Sequence, residues 1–126
     1  LANGFAARQQ HDLLRGDVLH WLPRLAKRGE QFDWVLLHPP SYAKVKDRRF
    51  SVLQDYPELV QLAAGVLAPG GRLLACVNHT AIDHLRLQRM VETGLQAAGR
   101  RATHWQRLPV AVDHEAGRCK GWVVHV

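Results

Sequence analysis

The chain has 126 residues, one domain's worth, and 47% of them are hydrophobic, which is ample for a core. Its 17 Lys and Arg against 11 Asp and Glu give a formal charge of +6, which suits a polyanionic partner without requiring one. Cys76 and Cys119 lie far apart without metal-ligand spacing, which argues against a disulfide scaffold and fits a reducing compartment. No apolar run approaches the ~20 residues that cross a bilayer, and the start lacks a signal-peptide pattern, so a cytoplasmic protein is expected.

In chain order, Leu1 to Gln10 reads as the tail of a helix broken at Asn3-Gly4. His11 to Arg15 is a short strand candidate leading to Gly16-Asp17. Val18, Trp21, Leu22, Leu25 and Ala26 share one face of an amphipathic helix, with Pro23 inside the pattern and Gly29 as its stop. Trp34 to Leu37 forms an apolar run suited to a strand buried on both faces. Pro39-Pro40 forbid further ladder pairing, so the chain leaves the sheet at His38 and presents Ser41 and Tyr42 on a rigid turn. An aromatic held in this way is a good platform for a flat substrate.

Ala43 to Phe50 reads as a basic loop carrying Lys44, Lys46, Arg48 and Arg49. Asp55 with Glu58 offers a capping box, and Pro57 falls in the first turn of the helix it would open. Tyr56, Leu59, Val60, Ala63, Ala64 and Leu67 make that helix's buried stripe, and Pro69-Gly70-Gly71 ends it. Arg72 to Val77 is the next strand and gives way to Asn78-His79. Thr80 with Asp83 can cap a further helix closed by Gly99. Ala102 to Leu108 and Gly121 to Val126 read as an antiparallel strand pair, since no helix of useful length fits between them.

Strands alternating with helices imply a mostly parallel α/β sheet whose functional residues sit at the carboxyl ends of strands. That rule selects Asp17, His38 to Tyr42 and Asn78-His79.

Phe32-Asp33, His38-Pro39-Pro40-Ser41-Tyr42, Gln54-Asp55-Tyr56, Leu67-Ala68-Pro69-Gly70-Gly71, Asn78 and Lys120-Gly121-Trp122 carry a resemblance that spans essentially the whole chain. It resembles the C-terminal part of a class I S-adenosylmethionine-dependent methyltransferase, and more narrowly the large-subunit ribosomal RNA methyltransferases with a strand-ending Asp-Pro-Pro-x-(Phe/Tyr) motif. The resemblance implies a Rossmann-like sheet, mostly parallel, ending in an antiparallel hairpin, with residues 1–126 as the C-terminal part of a single catalytic domain. The first two strands, with the Gly-rich turn and the ribose acid, are absent, and together with Leu1 in place of Met this suggests a fragment that pairs with its own N-terminal part or another chain. S-adenosyl-L-methionine is the implied cofactor and RNA the implied partner. Asp17 takes the adenine role, against its alternative as a helix N-cap. His38 stands where the family has Asp or Asn, beside cofactor and substrate alike, and Pro39, Pro40 and Tyr42 shape the slot for the base. Lys44, Lys46, Arg48 and Arg49 suit RNA phosphates, as do Arg100-Arg101.

Relatives that methylate cytosine at C5 carry a nucleophilic Cys where this chain has Asn78, which favours a guanine nitrogen. Cys76, two residues earlier, reads as buried. His104, His114 and His125 lack zinc spacing. The alternative to an enzyme is a degenerate or truncated methyltransferase-like module that binds RNA or a protein without catalysis, suggested by His38 and the absent Gly-rich turn.

Overall fold

A computed structural model describes residues 12–45, 47–109 and 119–126. The elements are α1 (Val18–Lys27), β1 (Phe32–Leu37), β2 (Tyr42–Val45), β3 (Arg48–Ser51), α2 (Val52–Ala64), β4 (Leu67–Asn78), α3 (His84–Ala97), β5 (His104–Arg107) and β6 (Cys119–His125). Four strands form one sheet in the order β1-β4-β6-β5, and β2 pairs with β3 in a separate ribbon. β1 runs parallel to β4, whereas β6 is antiparallel to both β4 and β5. The expected closing hairpin is therefore present, with its second strand inserted against β4.

Tertiary pairing overrides several local expectations. Residues 12–15 form no strand, and Leu13 is 91% exposed, because no ladder partner for them exists among the described residues. The expected helix in residues 1–10 lies outside the described residues, as do His11 and His114. The stripe of α1 is shifted at its start: Leu19 and Leu22 are buried and Val18 is half exposed. Trp21 instead braces the helix entry, its Nε1 donating to the Arg15 carbonyl at 3.0 Å. α2 begins before the predicted capping box. Ser51 is its N-cap, Asp55 reaches back to accept from the Ser51 N–H at 2.7 Å, and Pro57 lies inside the helix. Val52, fully buried, draws that extra turn into the helix. Pro69-Gly70-Gly71 forms an irregularity within β4, where the pairing with β1 jumps from Phe32↔Leu67 to Trp34↔Arg72. α3 is capped by Asp83 alone, which accepts from the Arg86 N–H at 2.7 Å. Ile82 before the cap and Leu87 after it are both fully buried, as in a hydrophobic staple.

One face of the sheet carries the core. Leu37, Leu73, Ala75, Val77 and Val124 cluster there with Tyr56, Val60, Leu87, Val91 and Leu95 of α2 and α3. The expectation that β1 is buried on both faces is corrected: Phe32, Trp34 and Leu36 are 43%, 52% and 64% exposed. The described helices join the core from the opposite side, and on the exposed face the Arg72 guanidinium lies over Trp34, 5.2 Å from its ring centre.

Arg100 belongs to this framework and is not free for phosphates. Its guanidinium donates to the carbonyls of Ala64, Leu67 and Ala68, closing the end of α2 and the start of β4. Charge-assisted bonds to otherwise orphaned carbonyls are among the stronger ones. Arg100→Ala should lower unfolding free energy by about 2 kcal/mol, read from urea denaturation midpoints, whereas loss of a solvated surface cation would leave them unchanged.

Candidate active site

The carboxyl ends of β1 and β4 lie side by side, because Leu37 pairs with Ala75 in the parallel ladder. Beyond Leu37 the prolines turn the chain, and Ser41 then fastens it in two ways. Its hydroxyl donates to the Asn78 carbonyl at 2.9 Å, and its own carbonyl accepts from the Val52 N–H at 3.0 Å. From below, the buried Tyr56 hydroxyl donates to the Cys76 carbonyl at 3.0 Å. The turn, the first residue of α2 and the end of β4 thus form one hydrogen-bonded unit.

This unit brings His38, Pro39, Pro40, Tyr42 and Asn78 to the same end of the sheet. His38, Tyr42 and Asn78 are exposed there, Tyr42 by 58%. The adjoining loop is fixed by Lys120, whose ammonium donates to the His79 carbonyl at 3.0 Å, and by His79 Nδ1, which accepts from the Ala81 N–H at 3.0 Å. The sequence marks Ser41 and His79 as strand-end residues, Lys120 as part of the closing motif and Tyr56 as a core residue, but not the bonds that they make. Nothing near Ser41 or Lys120 signals partners 37 and 41 residues away.

Asp17 joins the same region. It and Val18 line a cavity of ≈ 100 Å³ together with Pro39, Pro40, Phe50 and Leu59. The carboxylate does cap α1, one oxygen accepting from the Leu19 N–H at 2.9 Å. A carboxylate has about four acceptor sites, so capping leaves capacity for an exocyclic amine. A mostly apolar slot with Asp17 and Arg48 as its charged lining residues fits the adenine end of S-adenosylmethionine. Whole-ligand pockets run to roughly 300–1,000 Å³, so these residues supply only one end of such a site.

Cys76 is ill suited to act as a nucleophile. It is 7% exposed, and burial first, then proximity to Cys119, push its thiol above the ordinary range. His104 and His125 face one another across β5 and β6, ring centres 5.2 Å apart, and no metal-binding group of side chains occurs among the described residues. No helix among them is long and apolar enough to cross a membrane.

The basic segment is a ribbon instead of the loop expected from sequence. β2 and β3 pair antiparallel with Lys44 opposite Arg49, while Arg48 forms an ion pair with Glu58 at 3.3 Å. Lys46 lies outside the described residues. Alternation of polar and apolar positions was hidden because the cations occupy both faces.

The family model for S-adenosylmethionine-dependent methyltransferases matches residues 6–107. Ribosomal RNA large subunit methyltransferase I of Aeromonas salmonicida is 33% identical over 104 residues, covering 82% of this chain and 26% of the relative. Its counterpart in Vibrio cholerae is 29% identical over 113 residues, covering 89% and 28%. The chain therefore spans about a quarter of these relatives. Among solved structures, the SMU.776 protein complexed with SAH superposes with a TM-score of 0.71 at 24% identity, covering 88% of this chain and 30% of that one. The SAM-dependent methyltransferase of Agrobacterium tumefaciens gives 0.66 at 12% identity, covering 86% and 38%. The fold is thus the Rossmann-like methyltransferase fold, and the chain belongs to the S-adenosylmethionine-dependent methyltransferase family.

Proposed function

We propose that this chain is the C-terminal part of a catalytic domain that transfers methyl groups from S-adenosylmethionine to a base of RNA. Ribosomal RNA is the favoured substrate and a guanine nitrogen is favoured over cytosine C5. The observation that carries the reading is the Ser41–Asn78 hydrogen bond, which locks the Pro-Pro turn to the end of β4 and gathers His38, Tyr42 and Asn78 around one place. The relatives named for ribosomal RNA support the substrate class.

When bound, S-adenosylmethionine supplies an electrophilic methyl group. Asp17 and the apolar wall of Pro39 and Pro40 hold its adenine end. Tyr42 offers its ring for stacking on an unpaired base, a mode that tolerates any base because each has a π-face. His38 and the Asn78 amide are placed to hold the base edge, each presenting both donor and acceptor capacity. Cytosine-5 chemistry needs a thiolate, and Asn78 occupies its place while Cys76 is buried with a raised thiol.

His38 also motivates a second reading, in which the domain binds RNA or a protein without transferring methyl groups. His38→Asp in the full-length protein separates the two. Restoring an ionised acceptor is worth about 1.5–3 kcal/mol, so methyl transfer to RNA should rise roughly 10- to 100-fold. If neither wild type nor His38→Asp transfers a methyl group while RNA still binds, the non-catalytic reading stands.

A further inference from the structure

The ribbon register divides the basic residues into two groups that sequence order does not separate. Tyr42 opposes Ser51, Ala43 opposes Phe50, and Lys44 opposes Arg49. Successive strand residues point to opposite faces, so Tyr42, Lys44 and Arg49 share one face, and Ala43, Arg48 and Phe50 share the other. The second face is the inner one: Phe50 is 9% exposed within the core cluster, Ala43 packs against that cluster, and Arg48 is held by Glu58. The first face is open, with Tyr42 58% exposed and Lys44 and Arg49 both exposed. Neither Lys44 nor Arg49 has an acidic partner among the described residues.

Like charges directly opposite one another destabilise a strand pair, and here no acidic side chain among the described residues pairs with either to offset the repulsion. An anion placed between the two side chains would offset it. Lys44 lies two residues beyond Tyr42, about 7 Å along the strand, roughly one step of an extended nucleic-acid strand. The ribbon is also tied at both ends to the active-site turn, since Ser41 precedes β2 and accepts from Val52, which follows β3. A phosphate gripped by this pair would sit at a fixed offset from the Tyr42 ring.

We propose that Lys44 and Arg49 form a two-cation clamp for one phosphate of single-stranded RNA. That phosphate neighbours the nucleotide whose base stacks on Tyr42, and Arg48 takes no part in the clamp. The inference rests on the RNA-base reading of the site and sharpens it: recognition at this point is by backbone charge and an unpaired base, not by sequence.

The test is fluorescence anisotropy of a short fluorescein-labelled single-stranded RNA of mixed sequence with the full-length protein over a range of salt concentrations. Lys44→Gln/Arg49→Gln should weaken binding roughly tenfold at low salt and make the log–log salt dependence shallower by about 0.7, the value for one phosphate of a single strand. Arg48→Gln should leave that slope unchanged, and Tyr42→Ala should weaken binding without changing it. The melting temperature of the RNA-free double variant should not fall, since a repulsion has been removed. An unchanged slope in the double variant, an equal loss of slope with Arg48→Gln, or an equal loss against polyglutamate in place of RNA would overturn the clamp. Titration of the same proteins with S-adenosylhomocysteine keeps the two readings apart: intact cofactor binding with an unchanged slope refutes the clamp alone. Loss of slope without any cofactor binding keeps the clamp and refutes the methyltransferase reading.

Discussion

Gly94→Ala should lower the unfolding free energy by about 2–3 kcal/mol, although alanine is the better helix former by roughly 1 kcal/mol. Gly94 lies within α3 where it crosses α2, and it is buried. A Cβ there would stand 2.5 Å from the Pro57 carbonyl oxygen and 2.6 Å from Val60 Cβ. Neither atom can rotate away, since one is backbone and the other the branch point of a fully buried valine. The helices must separate, and a close-packed interface yields contacts along its whole length when they do. Urea denaturation should show a lower midpoint with an unchanged slope. An equal or higher midpoint would mean that the crossing has slack and that local helix propensity governs the site.

Tyr42→Ala should reduce methyl transfer to RNA by roughly 10- to 100-fold, the loss of one base stack worth about 1–3 kcal/mol. Affinity for S-adenosylhomocysteine should stay near that of wild type. The ring is exposed and makes no hydrogen bond among the described residues, so its removal leaves the Ser41 anchors intact. Steady-state kinetics on an RNA substrate, beside calorimetric titration of the cofactor product, checks both halves. A parallel loss of cofactor affinity would move Tyr42 from the substrate side to the cofactor side.

Much of this architecture could be read from the sequence because its signals are local. The helical spacing of Tyr56, Leu59, Val60 and Ala63, the apolar run Leu73 to Val77 and the change of pattern after Ala102 each reappear in the fold. What could not be read depends on distant partners. Residues 12–15 have strand-like composition and no ladder to join among the described residues, whereas Lys44 and Arg49 have loop-like composition and do pair. Asp55, Glu58 and Pro57 imitate a helix start that the burial of Val52 moves upstream. At the site, the strand-end rule selected Asp17, the Pro-Pro turn and Asn78, and the structure brings them to neighbouring positions. The anchoring bond of Ser41 was not legible, because a lone serine carries no sign of the strand it will bond.

Incorporation of tritiated methyl groups from S-adenosylmethionine into ribosomal RNA by the full-length protein tests the central claim most directly, with the RNA digested to nucleosides afterwards. The label should appear in a guanine nucleoside methylated on nitrogen. Label in cytosine methylated at C5 would contradict the reading of Asn78 and Cys76, and the absence of label from RNA, with the cofactor demonstrably bound, would contradict the assignment of the Pro-Pro turn to a nucleic-acid base.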